Sequence, residues 1–494
     1  MGLKKATLIF ENAYLIFISL IAYYIKKCIL NKTMKTLIYQ PPSIELYKAL
    51  KANKKIEIKF SINELDPAQK DIDTMDLTKY NFPDKYEFEV SDESQKYYED
   101  FYQKNFTIFS YQFVRRGPKI LDVHELRNWF SYYFHNFFKI LKEKKIELII
   151  FFSFPHEGPD FLVYKLSKIL NIKTICMHPS IIPDRYFTVE SFDELGRFKN
   201  DVNIKNDVKN INIQNIEEIY VDRIKFRNKL RKQRLSKRLS KRLSWGDIFS
   251  IKFLKDVIRD CLIKLKLIYR ENEKFLYKNY LENLKKIEKS KEEIFDLVQG
   301  RKIIFFPLHM QPELTTSLLG GIYEDQILVL EKLNSLSKDR WIIIAKENQS
   351  QTHYQRNSFF FKRLKGLKNV FFLNRNENTK EFLDQSDMTA TICGTIGFEG
   401  LLKSKKCLVF GHAWYKNIHG ALKTNNSISE QQINDFFNEQ FDKSKFINDL
   451  QKLLSTCDKG VISNHGRSMN NYDENLNCTQ IIKNLNKFIE KNFE

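Results

Sequence analysis

Cysteine is sparse in this 494-residue chain. The seven, Cys28, Cys176, Cys261, Cys393, Cys407, Cys457 and Cys478, are scattered with no C-x-x-C pair. That pattern argues against a disulfide frame or a zinc site and reads as reduced, cytoplasmic thiols. No His/Cys cluster has metal-ligand spacing, and the acidic DID at 71–73 reads as a surface loop, so no metal residue is assigned. No fixed-period repeat runs through the chain, which argues against a solenoid. Long apolar runs are missing too. Residues 6–25 are mostly apolar, but Glu11 and Asn12 interrupt them, and the unbroken run Ala13–Ile25 has 13 residues. A membrane span needs ~20. An interfacial or packed helix is preferred, with a single span as the alternative. No small-residue cleavage site follows, so a signal peptide is not expected. Were it a span, Lys26, Lys27, Lys32 and Lys35 would place the body in the cytoplasm.

Acidic residues are also outnumbered, 61 to 81, giving a net charge of +20. The excess calls for an anionic partner: nucleic acid, an acidic membrane face or a phosphorylated substrate. No nucleic-acid recognition module is found, which puts that partner last. A basic stretch, Arg223–Ser244, repeats leucine near helical spacing (Leu230, Leu235, Leu239, Leu243). It reads as a membrane-surface helix, with nucleic-acid binding as a rival, or as a solvated face.

The length suits two domains. Buried strands are expected at 36–42, 55–62, 106–113, 146–155 and 172–180, with helices at 125–145 and 158–171. Strand–helix alternation returns at 302–309 and continues through 341–347, 369–373, 389–393 and 408–411. Such alternation is the mark of parallel sheets. The expected organisation is an N-terminal helix (1–33), a Rossmann-like acceptor domain (34–199), a basic helical insert (200–298), a second Rossmann-like domain (299–440) and a helical tail (441–494). Two parallel sheets then face a cleft, and ligands in such sheets lie beyond the carboxyl ends of the strands.

Glycine is scarce, at 16 residues, yet two stand between a strand and a helix in CGTIGFEGLL (393–402). Gly394 and Gly397 allow close backbone approach, and the first-turn amides suit a phosphate. Thr395 caps the helix or donates to phosphate, and Glu399 sits where a carboxylate grips ribose. The same residues fit an ordinary capped helix. No G-K-[ST] follows, so it is not a Walker loop. Further polar clusters fall at strand ends: His309, Gln311 and Glu313 in FFPLHMQPELTT, Lys346 and Glu347 in IIIAKENQ, and His412 in FGHAWY. The first half adds His156, Glu157 and Asp160 in FPHEGPDF, any of which suits a general base, and His178 and Arg185 beyond the next strand. Helix capping by Asp160 is the simpler alternative.

FFPLHMQPELTT and CGTIGFEGLLKSKKCLVFGHAWY together resemble the bacterial capsule polysaccharide biosynthesis family, which includes Kdo-type glycosyltransferases. The PHEGPD and IKTICMHPSIIPDRYF segments are similar to the N-terminal halves of relatives in surface carbohydrate synthesis. The resemblance implies a GT-B glycosyltransferase using a nucleotide-activated sugar, without cofactor or required metal, at the inner face of the cell membrane. Its acceptor would be a glycan or lipid-linked glycan. Gln311, Glu313, Lys346, Glu347, Gly394, Thr395, Gly397, Glu399 and His412 would then hold the donor, with His309 beside the leaving phosphate and His156, Glu157 or Asp160 as base. Relatives using CMP-sugars often carry Lys-Glu-His-Pro, where this chain has KENQ (346–349); a CMP-sugar stays among the candidate donors. A non-catalytic export scaffold and a phospho-polyol transferase are the alternative functions.

Overall fold

The computed structural model describes residues 33–65, 67–78, 89–114, 122–198, 201–209, 216, 271–298, 300–424, 428–463, 466–468 and 472–493. The expected N-terminal helix, Thr33 apart, and the basic stretch Arg223–Ser244 lie outside these residues. Among the described residues no helix is long and apolar enough to cross a membrane.

Strands β1 (Met34–Tyr39), β2 (Ile56–Asn63), β3 (Ile72–Asp73), β4 (Leu148–Phe151), β5 (Lys173–Pro179) and β6 (Arg185–Val189) form the first sheet. Strands β7 (Glu288–Lys289), β8 (Lys302–Pro307), β9 (Trp341–Lys346), β10 (Val370–Leu373), β11 (Met388–Thr391), β12 (Lys406–Val409) and β13 (Ala421–Lys423) form the second. A last strand, β14 (Asp458–Lys459), returns to the first. The strand orders are β14-β6-β5-β4-β1-β2-β3 and β13-β12-β11-β8-β9-β10-β7. The second sheet is parallel throughout. The first is parallel from β3 to β5, then β6 and β14 run antiparallel. The α/β class with two parallel-dominated sheets is thus the one the alternation implied.

The strands are nearly continuous apolar runs because both faces of each sheet are covered. In β1, Leu37 and Tyr39 join one core and Ile38 the other, as the two-residue period of a strand requires. Helices α1 (Ile44–Lys51), α2 (Asp92–Val114), α3 (Val123–Glu143) and α4 (Pro159–Ile169) flank the first sheet. Asp122 caps α3, its side chain accepting from the Glu125 amide. Along α3, Phe130, Tyr133, Phe134 and Phe137 recur at helical spacing and are buried.

Three expectations need correction. Residues 106–113 are the end of α2, not a strand. Their aromatic composition suits a sheet, but Phe109 stacks on Phe113 one turn away and edges onto Phe130 of α3. The boundary at 299 falls too late, because β7 pairs with β10 and Ile294 and Phe295, on the helix Lys291–Val298, pack against the second sheet. The DID segment is an edge strand rather than a loop: Ile72 pairs with Ile62, and Asp71 accepts the Ser61 amide at 2.8 Å.

The stretch expected as a tail is divided between the lobes. Helix α5 (Thr395–Leu402) precedes β12, and α6 (Lys443–Thr456) brings Phe446 into the core beside Phe398. After β14, helix α7 (Glu474–Asn492) lays Ile481, Leu485 and Ile489 over Ile38, Leu46, Ile150 and Ile175 of the first lobe.

Candidate active site

The strand-to-helix turn after β11 is the best-formed part. Gly394 is the N-cap of α5, and no side chain caps it. Its own amide donates to Thr391 Oγ1 at 2.9 Å, and its carbonyl accepts the Tyr415 hydroxyl. A Cβ at Gly394 would stand 2.6 Å from His309 Nε2, so close packing underneath fixes this glycine. Thr395 is exposed at the helix start. Gly397 is different. It is buried, and a Cβ there would meet Cys407 Sγ at 2.6 Å and the Tyr415 hydroxyl. Its smallness serves helix-on-sheet packing, so its assignment to a phosphate cradle is corrected. Glu399 is half-buried, and its charge bears on Tyr415.

The loop after β8 is a buried polar network. The His309 amide donates to Gln326 Oε1 at 2.7 Å, while Gln326 Nε2 donates to Gln311 Oε1 at 2.5 Å. Arg356 Nη1 donates to the same Gln311 oxygen at 2.6 Å, and its Nε donates to Glu347 Oε2 at 2.8 Å. Gln311 and Glu347 are therefore corrected from donor ligands to members of a buried network, at whose edge Gln311 borders a second cavity. Burial, reinforced by the charge of Arg356, pushes His309 down to about 4. The ring is neutral near pH 7 and supplies no cation to a phosphate, a further correction. Lys346 is buried and donates to the Arg375 carbonyl at 3.0 Å, facing Glu288 and Glu377. It is held by the loop after β10, at the same carboxyl edge, and its assignment to the donor is likewise corrected. Glu313 is the N-cap residue of the single turn Leu314–Leu318, its amide donating to Thr316 Oγ1 at 3.2 Å.

The turn after β4 is held by Asp160. Its carboxylate accepts the amides of His156, Glu157 and Phe161, each at 2.7 Å. Both oxygens are engaged and buried, so Asp160 is corrected from base to positioning group. Glu157 is buried beside it, and the charges of both reach Tyr39 at the end of β1. His156 Nδ1 lies 2.6 Å from the Phe154 carbonyl. A carbonyl only accepts, so Nδ1 carries a proton, and in the neutral tautomer this selects the lone pair sits on Nε2. Across Phe154, the ring of His178 stacks at 4.9 Å. Arg185 pairs with Asp207 and is structural.

A cavity of about 260 Å³ opens between the lobes, with His178 and Leu195 on one side and Thr315, Thr395, His412 and Trp414 on the other. Its closure rests on the segment 191–197 of the first lobe. His412 Nε2 lies 3.3 Å from Asp193 Oδ1, Lys416 Nζ donates to the Asp193 carbonyl at 3.0 Å, and Asn417 Nδ2 donates to the Gly196 carbonyl at 2.9 Å. Gly196 has φ +78°, and a Cβ there would collide with the Trp414 carbonyl; only glycine allows this approach.

Three cations missed in the sequence gather here. Burial and the charge of Lys416, with smaller pushes from Lys423 and Arg197 against the pull of Asp193, lower the His412 pKa. Burial, then Lys423 and Arg197, lower Lys416 to about 8. Arg197 follows β6, Lys416 lies between β12 and β13 and Lys423 ends β13, and no local pattern marks them. Among the described residues no group of three or more His, Cys, Asp and Glu could hold a metal ion.

Two lobes built on parallel-dominated sheets, with a cavity at their strands' carboxyl ends, make this a two-lobed α/β protein; in such sheets that edge is where ligands lie. Residues 317–455 match the family model described as capsule polysaccharide biosynthesis protein. The match falls in the half whose motifs carry the resemblance. No curated protein matches the chain. Among solved structures, the chain is similar to the Thermosulfurimonas dismutans KpsC beta Kdo 2,4 transferase: 12% identity, TM-score 0.29, 69% of this chain and 87% of that one. It is also similar to the S. aureus MnaA–UDP co-structure (10%, 0.25, 94% and 98%). A third is the UDP-GlcNAc 2-epimerase from Methanocaldococcus jannaschii (12%, 0.24, 84% and 94%).

Proposed function

We propose that the protein is a glycosyltransferase that moves a sugar from a nucleotide-activated donor to a capsule-type surface glycan. The observation that carries this reading is the uncapped N-terminus of α5, with Thr395 lining a cavity walled by both lobes. A helix start concentrates free amide donors and partial positive charge, which suits a phosphate. Lys416, Lys423 and Arg197 add positive potential where the leaving phosphate gains charge. His156 Nε2 takes the acceptor hydroxyl's proton as the new sugar–oxygen bond forms and the sugar–phosphate bond breaks. Asp160 holds the His156 backbone in place. At about 260 Å³ the cavity is smaller than the roughly 300–1,000 Å³ of ordinary ligand sites. The lobes therefore part to admit a nucleotide sugar and close over it, which limits hydrolysis. The basic stretch Arg223–Ser244 would hold the enzyme at an anionic membrane face, near lipid-linked acceptors.

The test is a thermal-shift screen of CMP-, UDP-, GDP- and CDP-linked sugars. A ligand at one hundred times its Kd stabilises the folded form by about 2.7 kcal/mol. One nucleotide class should raise Tm clearly. If none does, the transferase reading is wrong.

A further inference from the structure

A second cavity, of about 230 Å³, also spans the lobes. The loop after β8 serves both: Thr315 lines the first and Gln311 the second. Tyr111 of α2 faces Glu324, Asp325, Gln355, Phe359 and Arg363 here. The chemistry differs from that of the first cavity. Arg363 is already matched by two carboxylates, Asp325 at 2.8 Å and Glu331 at 2.6 Å. Among the described residues Glu324 has no ion-pair partner; Gln355 Nε2 donates to its Oε1 at 2.7 Å. Among the described residues lining the cavity, carboxylates outnumber cations, which disfavours an anionic ligand. Burial raises Glu324 to about 7, so near neutrality it serves hydroxyls as donor or acceptor. Gln355 Oε1 is buried without a hydrogen-bond partner. Phe359 is 62% exposed, an apolar ring held out at a polar cavity. A flat apolar surface beside carboxyl and amide groups matches a sugar ring, whose C–H face packs on the aromatic while its hydroxyls pair with oxygens.

The position adds to this. Gln112, the residue after Tyr111, accepts the Gly158 amide at 3.1 Å, and a Cβ at Gly158 would stand 3.1 Å from Phe113 Cβ. The wall of the second cavity is thus fastened to the turn that carries His156. Gln112 itself is buried, with its Nε2 unpartnered.

We propose that this second cavity binds a neutral saccharide, and that the saccharide is the acceptor; the acceptor role rests on the transferase reading above. Saturation-transfer NMR on the full chain tests it, with chitotetraose, cellotetraose and maltotetraose as neutral probes and sialyllactose as the anionic counterpart. At least one neutral probe should give a signal that falls fivefold or more in both Phe359→Ala and Glu324→Gln, with sialyllactose silent. Phe359 is exposed, so its variant folds, and matched melting curves verify this. Silence from all three neutral probes, or signals untouched by both substitutions, overturns the proposal. The thermal-shift screen on the same samples separates the two readings. Saccharide binding without any nucleotide-sugar shift keeps the cavity as a saccharide site and removes its acceptor role, whereas a nucleotide-sugar shift with no saccharide signal removes the cavity alone.

Discussion

Two turns occupy equivalent places in the two lobes, each leading from a parallel strand into a helix at the carboxyl edge. In the first lobe, Asp160 folds back and takes three amides at 2.7 Å. In the second, Gly394 offers no side chain and the helix start stays uncapped. The first turn satisfies itself and becomes a rigid mount for His156. The second has no such carboxylate, and its helix end is where the proposed donor phosphate would bind. Glycine opens the helix in both turns, with different backbone angles, but only the first carries a carboxylate, Asp160, that gathers the surrounding amides; α5 has Ile396 at the matching position.

The largest expected effect tests the mount. His156→Ala should lower turnover by about 10²–10⁴, read as nucleotide release in the presence of acceptor; a loss under tenfold would move the base elsewhere. Next, Asp160→Ala strands buried amides. At about 1–3 kcal/mol for each unsatisfied group, denaturant unfolding should show a loss of at least 3 kcal/mol, and full stability would show that the carboxylate does not hold the turn. Close behind is the histidine packed under Gly394. Its folded pKa of about 4 lies below the ordinary 6.5, so between those values the unfolded state binds the extra proton. Stability should therefore fall by about 3 kcal/mol as pH drops from 6.5 to 4. His309→Gln should flatten that part of the profile; an unchanged slope would mean the ring is not held neutral. The smallest effect concerns the open helix end of the second turn. Thr395→Asp brings a carboxylate to the open helix end. It should weaken donor binding about tenfold while leaving stability equal or raised by up to ~1 kcal/mol, by calorimetry and melting. Unaltered donor affinity would sever α5 from the nucleotide.

Much of this was legible in advance. Buried strands such as β8 and β9 announce themselves as apolar runs, and CGTIG declares a turn between strand and helix. What failed did so for identifiable reasons. Gly394 and Gly397 look alike in sequence, yet one caps a helix and the other lets it lie against Cys407. Lys346 and Glu347 were assigned together to the donor. Strand alternation already argues against that, because neighbouring residues point to opposite faces. One goes to Arg375 and the other to Arg356. Residues 106–113 have sheet-like composition, and only the rings of α3 make them helical. Arg197, Lys416 and Lys423 meet through tertiary contact alone, hidden within a chain that is basic nearly everywhere.

The return of α7 to the first lobe has a consequence for biosynthesis. Ile38, Leu46, Ile150 and Ile175 find their cover in Ile481, Leu485 and Ile489, more than three hundred residues downstream of Ile150. The first lobe keeps this apolar face bare until the residues of α7 have been made, an interval in which nascent chains are prone to stick to one another. The second lobe, begun later, closes sooner.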